Sequence, residues 1–458
     1  MNRFFKILTV LLCFSASAEA ALFKAESFTL SNGLQCVVVE NHKAPIIKQM
    51  LWYKVGAVDE TFASKGGAHL LEHLMFRGTS RVPDGEFNRV MEKNGANSNA
   101  FTGHDVTAYH QMADVSRLEV MLAFEADRMN NLAFDEKAFE AERKIVLQER
   151  KQVVENNPSA TFTERFNKML WGNSPYGHPI TGLSEEIQAL TFKGARDFYN
   201  SYYAPNNAIL ILSGDIDVAT AKPLVEKYFG KIEAKEVQRR PIAENTAFFA
   251  ETIEMSLPEI QTAKMIKQSL LPPYQKLSGS IYDYMVLAEY LGGGETSALY
   301  KSLVIKQKTA VSASAGYHFT ALGNSVFTVS MIPAAYSRKQ IADAWQKLND
   351  AQITAVERLT DQKLEQIKRK ILAGLVYVND SPEDAAYWIG HTLANGFTLD
   401  DVQNYEDRIR EVSVASVKEA FNAVQNAPVV KGVLLPEKIP EDDVKTTAEE
   451  ADEQILKK

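Results

Sequence analysis

The segment His69-Leu70-Leu71-Glu72-His73 places two imidazoles and a carboxylate within about one helical turn. Residues four apart lie one above the other on a helix, so His69 and His73 can both aim a ring nitrogen at one zinc ion. Glu72 projects beside them, within reach of a water on that ion. Zinc lowers the pKa of such a water to about 7, and a nearby carboxylate can remove the proton as the water attacks a carbonyl. These types and this spacing point to metal-assisted hydrolysis with Glu72 as general base. The other histidines (His42, His104, His110, His178, His318 and His391) do not repeat the spacing and read as surface or satisfied core residues.

A helix must carry the motif, and the flanking sequence supplies one. Gly66-Gly67 opens it, residues 68–76 are good helix formers, and Gly78-Thr79-Ser80 closes it. A catalytic zinc takes a third protein ligand and keeps a position for water. Residues 134–156 predict a long, carboxylate-rich helix in which Glu142 and Glu149 lie seven apart, on one face and two turns from each other. Either could be the ligand. Carboxylates on such a helix also pair readily with neighbours such as Arg143, Lys144 or Arg150, so spacing does not choose between them.

His69-x-x-Glu72-His73 followed by Glu149 resembles the inverted zinc motif of the pitrilysin family, which includes insulysin and mitochondrial processing peptidase. The resemblance extends through Phe28-Thr29-Leu30-Ser31-Asn32-Gly33-Leu34, Trp52-Tyr53-Lys54-Val55-Gly56, Asn99-Ala100-Phe101-Thr102, Glu125-Ala126-Asp127-Arg128-Met129, Glu142 to Arg150 and Tyr203-Ala204-Pro205-Asn206-Asn207. It covers nearly the whole chain beyond the N-terminal leader and is nearest to bacterial processing-peptidase-like members that bear zinc. It implies one zinc per chain held by His69, His73 and Glu149, with Glu72 as base and Glu142 orienting a ligand. It also implies that Asn99, Ala100, Phe101 and Thr102 form a sheet edge that pairs with substrate backbone.

One departure stands out. Complete members of the family carry an Arg and, seven residues on, a Tyr in the second domain, reaching the scissile carbonyl. Val304 and Val311 occupy the equivalent places. Aliphatic side chains cannot donate hydrogen bonds to a developing oxyanion. The resemblance therefore suggests a heterodimer with a homologous subunit that brings the Arg and Tyr, a homodimer being the other arrangement. If the alignment is displaced, Tyr300, Tyr317 or Arg338 would substitute from nearby. Gly292-Gly293-Gly294 lacks the Lys-Ser or Lys-Thr of a phosphate loop and reads as a turn.

The N-terminus reads as a secretory signal peptide over residues 1–20: Arg3 and Lys6, a short apolar stretch at 7–14, then Ala18-Glu19-Ala20. That predicts export, to the periplasm. The apolar stretch is shorter than the roughly 20 residues a membrane span needs, and no later segment replaces it. Without residues 1–20 the chain has 48 basic and 57 acidic residues, mildly acidic and without basic stripes, which argues against nucleic acid as a partner. Cys36 is then the only cysteine and reads as a buried small side chain.

A chain this long exceeds one core and fits two domains. The charged, aperiodic stretch around Arg239-Arg240-Pro241 reads as a linker. The expected division is an N-terminal zinc-binding domain at 21–232, a linker at 233–248, a C-terminal domain without the motif at 249–436 and a polar acidic tail at 437–458. Strand patterns at 35–40, 47–55, 108–112 and 208–213 alternate with helices. The scheme recurs with strands at 250–255, 263–268, 310–317, 325–331 and 429–435. The expected fold class is α+β, two homologous α/β-sandwich domains facing each other as a shell, as in mitochondrial processing peptidase. The expected function is an exported zinc endopeptidase cutting peptides or unfolded segments. The alternative is a non-catalytic structural or assembly subunit that retains the fold.

Overall fold

The computed structural model describes residues 23–238, 251–320 and 322–439. The signal-peptide and most of the linker and tail assignments fall outside the described residues. Two sheets organise the chain. The first has strands in the order β1-β2-β6-β3-β5-β4: β1 (Ala25–Thr29), β2 (Gln35–Glu40), β6 (Ala208–Gly214), β3 (Ile46–Tyr53), β5 (Thr107–Asp114) and β4 (Asn97–Thr102). The second runs β7 (Glu251–Leu257), β11 (Val429–Pro436), β8 (Lys264–Leu271), β10 (Ser325–Pro333) and β9 (Ala310–His318).

Without β1 the two orders coincide strand for strand. Each sheet has one parallel pair, β2 with β6 and β7 with β11, and each ends in an antiparallel hairpin whose outer strand, β4 or β9, is an edge. The repeat suspected from strand spacing is thus a repeat of topology.

Each half also lends a helix to the other. One face of the first sheet, with Cys36, Leu51, Tyr53, Tyr109 and Leu210, packs on helices of its own half. Its opposite face, with Val37, Met50, Trp52 and Ile211, is covered by Ala385, Ala386, Ile389 and Leu393 of the helix Pro382–Ala394 from the second half. Reciprocally, Phe162, Phe166 and Leu170 of the helix Pro158–Trp171, from the first half, cover Leu270, Val326, Val430 and Leu434 of the second sheet. This explains why β6 is apolar from Ala208 to Leu212: both its faces are buried. The main core of each sheet comes from its own half, while the cluster on each sheet's opposite face contains residues from both.

Both lent helices begin at a proline behind a capping side chain. Asn157 accepts from the backbone N–H of Ser159 and Ala160, and Ser381 from that of Asp384. Before each lies a long helix, Glu136–Arg150 or Asp361–Asp380. From N-cap to proline the first half uses 23 steps (Asp135 to Pro158) and the second 22 (Thr360 to Pro382). The extra residue is accommodated by a π-helical turn at Lys151–Glu155, which starts two residues after Glu149.

Close approach makes the exchange testable. A Cβ on Gly390 would lie 2.0 Å from Trp52 Nε1, and one on Gly432 would lie 2.7 Å from Phe162 and Phe166. Gly390→Val is expected to destabilise the protein by about 1–3 kcal/mol through overpacking. A thermal unfolding midpoint equal to wild type would show that this helix does not rest on the sheet as described.

Candidate active site

The motif helix spans Gly67–Leu74, slightly shorter than the sequence suggests. Gly66 enters it in the left-handed region at φ 83°, a conformation glycine adopts without strain. The buried Glu60 carboxylate accepts from the N–H groups of Gly66 at 3.0 Å and Ala68 at 2.8 Å, fixing the start of the helix. Asp135 caps the carboxylate helix Glu136–Arg150 by accepting from Ala138 at 2.7 Å. The two helices pack together and bring their polar side chains to one point.

His69 and His73 stand with ring centroids 4.9 Å apart. Glu149 lies against both, its Oε1 3.8 Å from His69 Nε2 and its Oε2 3.4 Å from His73 Nε2. One donor atom from each residue falls within 4.8 Å of the others, and among the described residues no other His/Cys/Asp/Glu group could hold a metal in this way. Glu142, which spacing alone could not separate from Glu149, is buried on the other side of His73. It accepts from His73 Nδ1 at 3.0 Å and from the Arg77 guanidinium.

That contact decides the tautomer. With its proton on Nδ1 toward Glu142, His73 presents a lone pair on Nε2, and this faces a carboxylate. Acceptor faces acceptor, an arrangement that a metal ion, or a second proton on the ring, satisfies. His69 fits the same site, since burial first and the neighbouring His73 second lower its pKa to about 4, keeping the ring neutral. For His73, burial opposes protonation, but the Glu142 hydrogen bond and the charges of Glu142, Glu72 and Glu149 raise its pKa overall. Glu142 is held below the ordinary carboxylate range by His73 and Arg77, against the effect of burial. The residues present therefore suit a zinc ion.

Glu72 sits beside this cluster. Thr102, at the end of β4, donates to its Oε2 at 2.5 Å. Burial pushes the Glu72 carboxyl up; the Thr102 hydrogen bond and His73 oppose, while Glu149 adds to the rise. A cavity of about 350 Å³ opens here, lined by Glu72, His73, Phe76, Arg77 and Asn99 among others. Behind it the buried Arg128 guanidinium lies 4.8 Å from the Phe76 ring and 4.2 Å from that of Phe87, and is held by Glu125 at 2.6 Å. The sequence singled out Arg128 only as part of a matching segment. Its role in supporting this wall requires the three-dimensional contact.

β4 pairs with β5 on one side only, so the edge expected at Asn99, Ala100, Phe101 and Thr102 is present. The Thr102 hydroxyl is committed to Glu72, which leaves its backbone for strand pairing. In the second half the helix Ile281–Gly292 packs on β9, and near its end Glu289 pairs with Lys370 at 2.6 Å. Val311 is exposed on β9, and Val304 packs partly against the second core. Arg338 is engaged by Glu254 at 2.6 Å, and Tyr317 stacks on Tyr284.

Two family models match the chain: Insulinase (Peptidase family M16) over residues 36–183 and Peptidase M16 inactive domain over residues 189–371. "Zinc protease PqqE" of Helicobacter pylori is 29% identical over 414 residues, covering 88% of this chain and 90% of that protein. "Probable mitochondrial-processing peptidase subunit beta" of Schizosaccharomyces pombe is 29% identical over 221 residues, 48% of each chain. Among solved structures, a protease from Helicobacter pylori superposes with a TM-score of 0.79 at 26% identity, over 90% of this chain and all of that one.

Proposed function

Because the chain belongs to the M16, or pitrilysin, peptidase family, we propose that it is an exported zinc endopeptidase with His69, His73 and Glu149 as ligands and Glu72 as general base. The convergence of three acceptor groups, with His73 oriented by Glu142, carries this reading. Zinc held there supplies Lewis acidity, acidifying water and polarising a peptide carbonyl. Thr102 fixes Oε2 of Glu72 and leaves Oε1 to take the proton and return it to the departing amine. β4 aligns an extended substrate through backbone hydrogen bonds, which favours peptides and unfolded segments over folded proteins.

Val304 and Val311 offer no donor for a developing oxyanion, so we propose that a homologous subunit contributes an Arg and a Tyr. A homodimer is the second arrangement. Residues 1–20 support delivery to the periplasm, and among the described residues no helix is long and apolar enough to cross a membrane. The competing reading, a non-catalytic assembly subunit, draws on the missing Arg and Tyr. It leaves Glu72 beside the metal-type cluster without a task.

Metal removal separates these readings. Chelation should abolish cleavage of a quenched, unstructured peptide by the protein together with its presumed partner, and stoichiometric zinc should restore it. Cleavage that survives complete stripping would overturn the zinc mechanism.

A further inference from the structure

A second cavity, about 520 Å³, lies on the far side of β4 from the metal cluster, where both halves meet. Its wall includes Phe101, Trp171 and Tyr176 from the first half and Phe319, Tyr387 and His391 from the second. We propose that this cavity is a substrate subsite that selects a large aromatic side chain, Phe, Tyr or Trp, on a peptide held along β4. The proposal deepens the peptidase reading and rests on it for the substrate's placement.

Position is the first argument. Phe101 immediately precedes Thr102, whose hydroxyl holds Glu72. Side chains alternate across a strand, so Thr102 points to the Glu72 side, while Phe101 points to the other and packs on Trp52 at 5.3 Å and Tyr387 at 5.7 Å. A strand added to β4 alternates in the same way. Side chains on its Phe101 face then meet this cavity within a residue or two of the reacting bond.

Chemistry is the second. The rings form a continuous aromatic surface across both halves: Tyr387 stacks on His391 at 6.1 Å and 11°, and Phe319 lies 6.4 Å from His391. No lysine or arginine lines the cavity, and its one carboxylate, Asp105, accepts from Tyr176 at 2.6 Å. Burial holds His104 and His391 below their ordinary pKa, so both are neutral at pH 7 and above. These rings, set among neutral polar neighbours such as Gln268, Thr328 and Asn395 and beside His318, with no lysine or arginine in the wall, suit an aromatic guest.

The test compares fluorescent peptides carrying Phe or Ala at each position in turn. Binding is read by anisotropy with the chelated full-length mature protein, and cleavage is read with zinc and partner present. Wild type is expected to bind the Phe peptide about 10- to 100-fold more tightly at one position, the equivalent of burying one large apolar side chain. That preference should collapse both in the double variant Tyr387→Ala/Phe319→Ala, which opens the pocket, and in Thr163→Trp, which fills it from an exposed helix position. No aromatic preference at any position, or a preference that survives both variants, overturns the proposal. Selective binding without any cleavage would sustain the subsite and remove the peptidase reading. Cleavage without selectivity would do the reverse.

Discussion

Glu72→Gln lowers kcat/KM by about 10²- to 10⁴-fold with zinc content unchanged, if Glu72 moves the proton. The amide keeps the shape of the side chain and can still accept from Thr102, but it cannot take a proton. Burial holds the native carboxyl above its ordinary pKa, nearer to the operating pH, which makes it a stronger base than an exposed glutamate. The measurement pairs metal analysis with steady-state cleavage of one quenched peptide. Loss of zinc from the variant would make Glu72 a ligand and end its assignment as base.

The second large effect concerns retention of the metal. Glu149 is the carboxylate that faces Nε2 of both histidines, whereas Glu142 is on the Nδ1 side of His73, shared with Arg77. Glu149→Gln removes one of the three proposed ligands and should leave the protein largely zinc-free after dialysis. Glu142→Gln should keep its zinc with an affinity lower by about 10- to 100-fold, because only the orientation and basicity of His73 suffer. Competition with a chromophoric chelator measures both. Full occupancy in Glu149→Gln together with loss in Glu142→Gln would exchange the two roles.

Much of this was legible in the sequence because the signals are local. Two histidines four apart on a helical stretch define their own geometry, and the motif helix lies within a few residues of its expected ends. β2 occupies the residues expected of it, and the C-terminal strands depart by only one to three residues at their ends. The choice between Glu142 and Glu149 was not legible. A separation of seven puts both on one face, and only the packing of two helices shows which one meets both rings.

The helix exchange was also hidden. An amphipathic pattern shows that the helix Pro382–Ala394 has an apolar face, not that this face belongs on the sheet of the other half of the chain. Gly390 marks the contact, yet a single glycine in a helical pattern has many explanations. The π-helical turn after Glu149 escapes periodicity for a related reason. One added residue shifts the face of everything that follows by about 100° and looks like noise until the matching segment of the other half is laid beside it. The link from Thr102 to Glu72 spans strand and helix and exists only in the folded chain.

The most direct test is zinc stoichiometry together with cleavage of an unstructured peptide by the mature protein, alone and mixed with a homologous subunit that carries the Arg and Tyr. One zinc per chain, with turnover that appears or rises sharply in the mixture, is the predicted result. One zinc per chain without turnover in either sample would contradict the peptidase account and leave an assembly subunit that keeps the fold and the metal.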